Sequence, residues 1–331
     1  MTDLVILAPN WLGDAVMALP AIADVRRGAP AATIVVAARP AVAPLFDLVP
    51  EVDRTIVLHR QARGMSAWRS LGSELAARDF DTALLLPNSV HAALVVSRAG
   101  IPERWGYRTN WRGTLLTRAV PTVSGLHQAE YYQHLVRALG FPNGPGAPNV
   151  VVPTSAQESG RSALIAAGWN GSTRLVALAP GAAYGGAKRW PPEYFGELAD
   201  ALAVDAQCVM IGAAADRPTA EEIRRPAILD LVGKTDLATL AGILSHCRAL
   251  VTNDSGAMHL AAAIGLNVTA MFGPTNECAT APRATSNAQR VTVLSHPVWC
   301  RPCMLRECPI DHRCMRGIEP RAAIDAARQA L

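Results

Sequence analysis

The chain has 331 residues, a length at which one hydrophobic core usually divides into two. Half of the residues are apolar and 18% are charged, a composition that is typical of ordered globular proteins and excludes a disordered chain. The formal net charge is only +4, and no block of basic residues resembles a nucleic-acid-binding tail. We therefore expect no nucleic-acid partner.

Membrane insertion and secretion are also disfavoured. No apolar run approaches the ~20 residues that a membrane-spanning helix needs. The N-terminal segment lacks the basic start and the small-residue cleavage site of a signal peptide, and its apolar run is better explained as a first buried strand. The sequence thus predicts a cytoplasmic protein.

Short apolar runs alternate with amphipathic stretches in the N-terminal half of the chain. The predicted strands are 4–8, 34–38, 55–58 and 82–86. The predicted helices are 15–27 and 67–78. A strand–helix–strand rhythm of this kind predicts a parallel, doubly wound sheet.

Segment 141–153 is rich in Pro, Gly and Asn, which is typical of a linker, so we predict domains at 1–153 and 154–331. Ser155 and Glu158 have the spacing of a capping box that opens a helix extending to about residue 168. A second series of elements follows, with predicted strands at 175–179, 207–211, 249–252 and 268–272. Its predicted helices are 192–203, 237–245, 255–264 and 320–331, the last of which could pack back on the N-terminal domain.

Two Rossmann-like domains of this α/β class would face a central cleft, because open α/β sheets bind ligands outside the carboxyl ends of their strands. The loops after the strands are therefore the candidate sites. In the first loop, Gly13 permits a tight approach and Asp14 falls in the first helical turn, where the helix dipole favours a carboxylate. Asp is also a common residue at helix starts, so a purely structural role for Asp14 stays open.

Two loops of the C-terminal half have features of anion sites. Segment 179–192 carries three glycines and the pair Lys188–Arg189 before a helix opened by proline, although it lacks the ending of a Walker A loop. In segment 251–259, Asp254, Ser255 and Gly256 open a helix that carries His259. Backbone N–H groups and the positive helix end would suit a diphosphate leaving group. A mere N-cap role for the Asp–Ser pair and a structural role for the histidine are the alternatives.

These motifs together resemble those of the ADP-heptose:lipopolysaccharide heptosyltransferases, glycosyltransferase family 9, and its heptosyltransferase II members in particular. The matching segments are 10–14, 86–89, 99–102, 180–190, 252–256 with His259, and 273–274. They occur in order along nearly the whole chain. The resemblance implies a GT-B fold and inverting transfer of heptose from ADP-heptose to heptosyl-Kdo-lipid A. It implies no cofactor and no obligatory metal.

The resemblance also assigns roles to residues. Asp14 is similar to the family's catalytic base, and Lys188 to the lysine that neutralises the departing diphosphate. The implied donor-binding residues are Gly181, Lys188, Arg189, Asp216, Thr252, Asp254, Ser255, Gly256, His259 and Gly273. The implied acceptor-binding residues are Asn10, Trp11, Gly13, Asn88, Ser89, Arg108 and Arg112.

Segment 98–118 interleaves five arginines with Trp105, Tyr107 and Trp111. From the residues alone it is equally well explained as a solvated loop or as a face for an anionic acceptor. Because lipid A and Kdo are anionic, the resemblance favours the acceptor face. Such a surface would also favour peripheral contact with the inner face of the cytoplasmic membrane.

Seven cysteines in a chain without a signal peptide argue against a disulfide framework. Four of them form a C-x2-C-x4-C-x5-C pattern, namely Cys300, Cys303, Cys308 and Cys314. Short spacings of this kind resemble zinc or iron–sulfur ligand sets, but they match no standard zinc knuckle. A structural zinc site and reduced or locally paired thiols both stay open.

Other functions remain as alternatives. One is a related transferase that uses another sugar nucleotide or core acceptor, and another is an epimerase-like GT-B protein that catalyses no transfer. A dinucleotide oxidoreductase is disfavoured, because no Gly-x-Gly-x-x-Gly follows any predicted strand.

Overall fold

A computed structural model describes residues 3–59 and 65–331 of the chain. The chain divides into two compact units, Met1–Asn149 and Val150–Leu331. The division falls inside the Pro- and Gly-rich segment 141–153, which contains no helix or strand. Among the described residues, no helix has both the length and the apolar character required to cross a bilayer.

The first unit is a parallel sheet with flanking helices. Its strands are β1 (Asp3–Leu7), β2 (Thr33–Ala38), β3 (Arg54–Val57), β4 (Thr82–Leu85), β5 (Glu103–Tyr107) and β6 (Arg118–Val120). Its helices are α1 (Leu12–Gly28), α2 (Met65–Ala76), α3 (Val90–Arg98) and α4 (Gln128–Ala138), with short 3-10 helices at Ala43–Leu48 and Arg112–Leu115. The strand order is β3-β2-β1-β4-β5-β6, and every pairing is parallel.

The centre of this sheet is buried, as expected where helices cover both faces of a sheet. All four residues of β4 and the last four of β1 are buried. Helix α1 packs against α4. The strand order reverses between β1 and β4, so the loops that follow these two strands are neighbours at one edge of the sheet.

The second unit repeats the same design. Its strands are β7 (Leu175–Ala179), β8 (Gln207–Met210), β9 (Leu229–Asp230), β10 (Ala249–Asn253), β11 (Asn267–Phe272) and β12 (Val291–Ser295). Its longer helices are α5 (Thr154–Ala166), α6 (Pro192–Leu202), α7 (Arg217–Ile223), α8 (Leu237–His246), α9 (Gly256–Ile264) and α12 (Pro320–Gln329). Short helices α10 (Glu277–Thr280) and α11 (Arg313–Arg316), and 3-10 turns at Gly186–Lys188 and Ala214–Asp216, complete it.

The order of this sheet is β12-β11-β10-β7-β8-β9, again with parallel pairings throughout. Its reversal point lies between β7 and β10. The two loops singled out in the sequence as anion sites follow these two strands. The fold therefore places them side by side.

The predicted α/β class and all eight predicted strands are confirmed, each within one residue at either end. The capping box predicted at Ser155 is wrong. Pro153 is the N-cap of α5, and Ser155 already lies inside the helix. Proline holds its own φ near −68° and its ψ is extended, so the chain enters the helix two residues earlier than the Ser–Glu spacing suggests.

The final helix α12 packs against α6 within the second unit. Its residues Ala323 and Ala327 are fully buried in the core that also contains Trp190 and Phe195. Its small apolar residues thus complete the hydrophobic core of the unit to which the donor loops belong.

Candidate active site

In the first unit, the loop after β1 and the start of α1 present the predicted base. Asp14 lies in the first turn of α1 and is half-buried. The N-cap of this helix is Trp11, which is extended and 49% exposed, and its side chain makes no capping hydrogen bond. The Asp14 charge acts on Tyr132 of α4, whose pKa is raised mainly by burial and further by this carboxylate. Asp14 therefore lies at the α1–α4 boundary, beside the carboxyl edge of the sheet.

The loop after β4, the neighbour of the β1 loop, carries Asn88 and Ser89. Ser89 is the N-cap of α3 and accepts a hydrogen bond from Ala92 N at 3.2 Å. Asn88 donates through Nδ2 to the Tyr131 hydroxyl at 3.0 Å, and its carbonyl accepts from Thr109 Oγ1 at 2.9 Å. The fold thus brings Asp14, Asn88 and Ser89 to adjacent loops of one sheet, and their contact with an acceptor stays a prediction.

Arg112 has a different place from the one expected for a surface acceptor contact, because its side chain is fully buried. Its guanidinium donates to Pro87 O at 2.5 Å and to Tyr107 O at 2.9 Å, and Nη2 lies 3.3 Å from Asn88 Oδ1. Burial lowers the pKa of Arg112 to about 10. This placement favours a role in holding the loop of Asn88 and Ser89 over direct contact with an acceptor.

Replacing Arg112 with methionine is therefore expected to destabilise the first unit. Loss of several charge-assisted hydrogen bonds leaves buried carbonyls unpaired, which should lower the free energy of unfolding by about 3 kcal/mol. Urea denaturation followed by circular dichroism measures this change. Exposed Arg108, changed to methionine, is the matched control and should shift stability by no more than about 0.5 kcal/mol. A stable Arg112→Met protein with a raised acceptor KM would instead support direct acceptor contact.

The rest of the arginine–aromatic segment also separates into buried and exposed members. It contains strands β5 and β6, which the sequence did not predict. Arg104 donates to the carbonyls of Ile101 and Leu115, at 2.7 and 2.8 Å. Arg118 lies 5.0 Å from the centre of the Trp105 ring. The side chains of Arg104 and Arg118 thus stabilise this edge of the sheet.

Only part of this segment is presented to solvent. Arg108 is exposed, and Trp111 is 97% exposed with a left-handed backbone at φ 62°. Arg98 and Arg118 are exposed as well, so a solvated loop and a face for an anionic acceptor both stay open for this segment.

In the second unit, the loops after β7 and β10 are joined by an ion pair. Lys188 Nζ lies 2.6 Å from Asp254 Oδ2, and the side chains are only 12% and 6% exposed. The same carboxylate oxygen accepts a hydrogen bond from Thr275 Oγ1 at 2.6 Å. Thr275 follows β11, so three consecutive loops of the carboxyl edge converge on one carboxylate. A lysine and a carboxylate held at low exposure form a preorganised charged site.

Asn253 and Trp190 lock these two loops together, and the sequence did not single out either side chain. Asn253 Nδ2 donates to Pro180 O at 2.6 Å, and its Oδ1 accepts from Trp190 N at 3.0 Å. Asn253 and Trp190 are fully buried. The position of Asn253 within Thr-Asn-Asp-Ser-Gly is the only signal that could have indicated it. These hydrogen bonds fix the position of the loop that carries Lys188 relative to the loop that carries Asp254.

The start of α9 differs from an ordinary capped helix. Ser255 occupies the N-cap position, yet its side chain makes no capping hydrogen bond and lies 3.1 Å from Thr252 Oγ1. Asp254 is committed to Lys188 and Thr275. The alternative of a mere Asp–Ser cap is therefore wrong. The first N–H groups of α9, beginning at Gly256, are left to a ligand or solvent. His259 is buried, one turn further along the helix.

Gly181 and Asp216 lie in direct contact at the carboxyl edge. A Cβ at Gly181 would come within 2.2 Å of the Asp216 carboxyl carbon, so the absence of a side chain there admits the carboxylate. Asp216 Oδ2 accepts a hydrogen bond from Ala213 N at 2.9 Å and is partly exposed. This geometry suits a contact with a ligand hydroxyl, which is the role that the resemblance implied.

Arg189 adds a buried donor without a partner. Its Nε is inaccessible to solvent and has no hydrogen-bond partner among the described residues. Orphaned buried donors are rare in folded proteins, and each indicates an unmet interaction. Arg189 directly follows Lys188 in the loop after β7.

Gly273 has a packing role in the structure. A Cβ there would meet Met315 Sδ at 2.4 Å, and its carbonyl accepts from Arg301 Nε at 2.7 Å. The glycine thus lets the segment around Cys314 pack under the loop after β11. Direct donor contact by Gly273 stays a prediction.

The cysteine cluster lies on the second unit and all seven cysteines of the chain are free thiols. Burial raises the pKa of the Cys314 thiol, and the thiols of Cys300, Cys308 and Cys303 raise it further. Within residues 3–59 and 65–331, no group of three or more His, Cys, Asp or Glu side chains is arranged to hold a metal ion. The zinc site considered from the spacing gains no support from this arrangement.

Comparison with known proteins agrees with this fold. A family model described as glycosyltransferase family 9 (heptosyltransferase) matches residues 68–313. Lipopolysaccharide heptosyltransferase 2 of Salmonella typhimurium is 32% identical over 84% of this chain and 85% of its own length. The Escherichia coli K12 protein of the same name is 31% identical over 84% and 85% of the two chains.

Solved structures show the same architecture. The E. coli ADP-heptose lps heptosyltransferase II superposes with a TM-score of 0.82 at 28% identity and covers 100% of this chain and 98% of that one. A glycosyltransferase family 9 protein from Veillonella parvula has a TM-score of 0.84 at 21% identity, with 99% and 97% coverage.

Two parallel Rossmann-like units with polar loops at their reversal points, together with these matches, define a glycosyltransferase of the GT-B fold. More particularly, the chain belongs to glycosyltransferase family 9, the heptosyltransferase family.

Proposed function

We propose that this protein transfers L-glycero-D-manno-heptose from ADP-heptose to heptosyl-Kdo-lipid A, the inner core of lipopolysaccharide. The names of its relatives from Salmonella typhimurium and E. coli support this activity, as does the matching ADP-heptose lps heptosyltransferase II structure. The alternatives of another sugar nucleotide or of epimerisation have no comparable support.

The observation that carries the proposal is the Lys188–Asp254 pair at the reversal point of the second sheet. A departing ADP places negative charge where a cation is preorganised, and catalysis benefits most from charges fixed before the reaction. Arg189, with its unpaired buried Nε, is a second donor for the diphosphate. The free N–H groups at the start of α9 provide further hydrogen bonds.

The remaining donor-side residues bind the rest of the nucleotide in this proposal. Asp216 binds a ribose hydroxyl through its partly exposed carboxylate, which Gly181 admits. Thr252, Ser255 and His259 line the start of α9 beside the phosphates. No metal ion is needed in this scheme, because Lys188 and Arg189 supply positive charge.

Asp14 is the proposed catalytic base. As the acceptor hydroxyl oxygen bonds to C1 of the heptose, the C1–O bond to ADP breaks and the hydroxyl proton passes to the Asp14 carboxylate. Attack opposite the leaving group inverts the anomeric configuration. Asp14 belongs to the first unit, and the diphosphate-binding residues belong to the second.

The acceptor is proposed to contact the loops after β1 and β4 through Asn10, Trp11, Gly13, Asn88 and Ser89. Exposed Arg108 would pair with an acidic group of Kdo or a lipid A phosphate. Fully exposed Trp111 beside it is of the type that lies at bilayer interfaces. We therefore propose a cytoplasmic protein that contacts the inner membrane peripherally.

A donor and acceptor screen on the purified chain tests the proposal. ADP should be released from ADP-heptose only when heptosyl-Kdo-lipid A is present, and turnover should persist in excess EDTA. Release from UDP- or GDP-sugars but not from ADP-heptose would support a related transferase. Conversion of ADP-heptose without any acceptor would support epimerisation instead.

A further inference from the structure

The cysteine-bearing segment between β12 and α11, residues 296–312, has no role in the proposed function. It folds back on the donor loops of its own unit. Ala187 N donates to Arg306 O at 2.9 Å, and the Tyr184 hydroxyl donates to Met304 O at 2.7 Å. Met304 N donates to Pro274 O at 2.9 Å. The segment is thus attached to the loop after β7 and to the loop after β11.

This attachment brings a second cation close to Lys188. The ring of Tyr184 lies 4.7 Å from Lys188 Nζ and 5.2 Å from the guanidinium carbon of Arg306. Both distances are within the range of cation–π attraction. One aromatic ring therefore holds both positive side chains at the proposed diphosphate site.

Lys188 and Arg306 differ in whether a carboxylate pairs with them. The charge of Lys188 is partly balanced by its ion pair with Asp254. In the same segment, Arg301 is paired with Glu277 at 2.7 Å. For Arg306, no carboxylate oxygen of the described chain lies within the 4.0 Å salt-bridge distance. The positive charge of Arg306 is therefore not paired with a carboxylate of the described residues.

We propose that Arg306 is a further donor-binding residue, whose guanidinium binds the diphosphate of the nucleotide sugar. This inference rests on the proposed donor site. A planar guanidinium matches phosphate oxygens with two parallel hydrogen bonds, which a lysine cannot do. The segment that carries Arg306 thereby contributes to donor affinity, although it lies more than 100 residues along the chain from Lys188.

The test is calorimetric binding of ADP and of adenosine to the full chain and to Arg306→Ala. Loss of one charge-assisted phosphate contact should weaken ADP binding by about tenfold, and adenosine binding should not change. Arg306→Lys should recover only part of the ADP affinity. The main-chain hydrogen bond from Ala187 to residue 306 is retained in both variants, so the segment should stay attached.

Arg321→Ala is the matched control, because Arg321 lies on α12 and its side chain is 89% exposed. ADP affinity in Arg306→Ala within twofold of wild type would overturn the inference, and so would equal losses for ADP and adenosine, which would indicate a disturbed loop. Failure of the wild-type chain itself to bind ADP would overturn the proposed function together with the inference. Normal ADP binding by both proteins would overturn the inference alone.

Discussion

Replacement of Asp14 by asparagine is expected to lower kcat by roughly 100-fold or more, the usual contribution of a positioned general base. The amide has the size of the carboxylate but cannot accept the proton of the acceptor hydroxyl. Asp14 belongs to the first unit and the diphosphate-binding residues to the second, so donor affinity should be retained. Turnover is measured as acceptor-dependent ADP release, and donor affinity by calorimetric titration with ADP.

The result for Asp14→Asn can be interpreted only with a stability check and a control variant. Asp14 lies near Tyr132 at the α1–α4 boundary, so the variant must first be shown to have wild-type thermal stability. Asp47→Asn is a suitable control, because Asp47 is an exposed carboxylate of the same unit and accepts a hydrogen bond from Thr55 Oγ1. Near-wild-type kcat in Asp14→Asn would remove Asp14 from the role of base.

The central strands of both sheets could be predicted because their sequence signal is local. Strand β7 is a continuous apolar run, and β1, β4 and β10 consist mostly of buried apolar residues, as expected for strands covered on both faces. Strands β5, β6, β9 and β12 gave no such signal. Strand β5 begins with Glu103 and Arg104, and β12 is only half-buried along most of its length. These segments form strands because they pair with a neighbouring strand, and the hydrophobic periodicity of the sequence does not reveal such pairing.

The candidate site, too, could be predicted only in part from the sequence. The sequence indicated Lys188 and Asp254 separately, but their pairing depends on the adjacency of β7 and β10, which lie far apart along the chain. Arg112 was expected on an acceptor face because a single arginine gives no local sign of burial. Its partners are the carbonyls of Pro87 and Tyr107, and backbone acceptors leave no trace in a side-chain pattern. Tertiary partners therefore decide between a binding residue and a structural one.

Lys188→Met is expected to have two separable effects. The first is on chemistry, since removal of one preorganised charge from a leaving-group site costs roughly 10²- to 10³-fold in kcat. The second is on stability, because Asp254 would be left as a nearly buried carboxylate without its cation. Breaking a buried pair from one side destabilises proteins by about 3–5 kcal/mol. Loss of activity in this variant alone would therefore not distinguish catalysis from folding.

The double variant Lys188→Met with Asp254→Asn separates the two effects. Asparagine keeps an oxygen that can accept the hydrogen bond of Thr275 and removes the uncompensated charge, so the free energy of unfolding in urea should recover most of the loss. The kcat for ADP release should stay low, since no cation is restored. Lys234→Met is the control, as the only other lysine of the chain is exposed and donates to the Asp230 carbonyl. Recovery of turnover together with stability would mean that Lys188 serves the fold and that another group neutralises the leaving diphosphate.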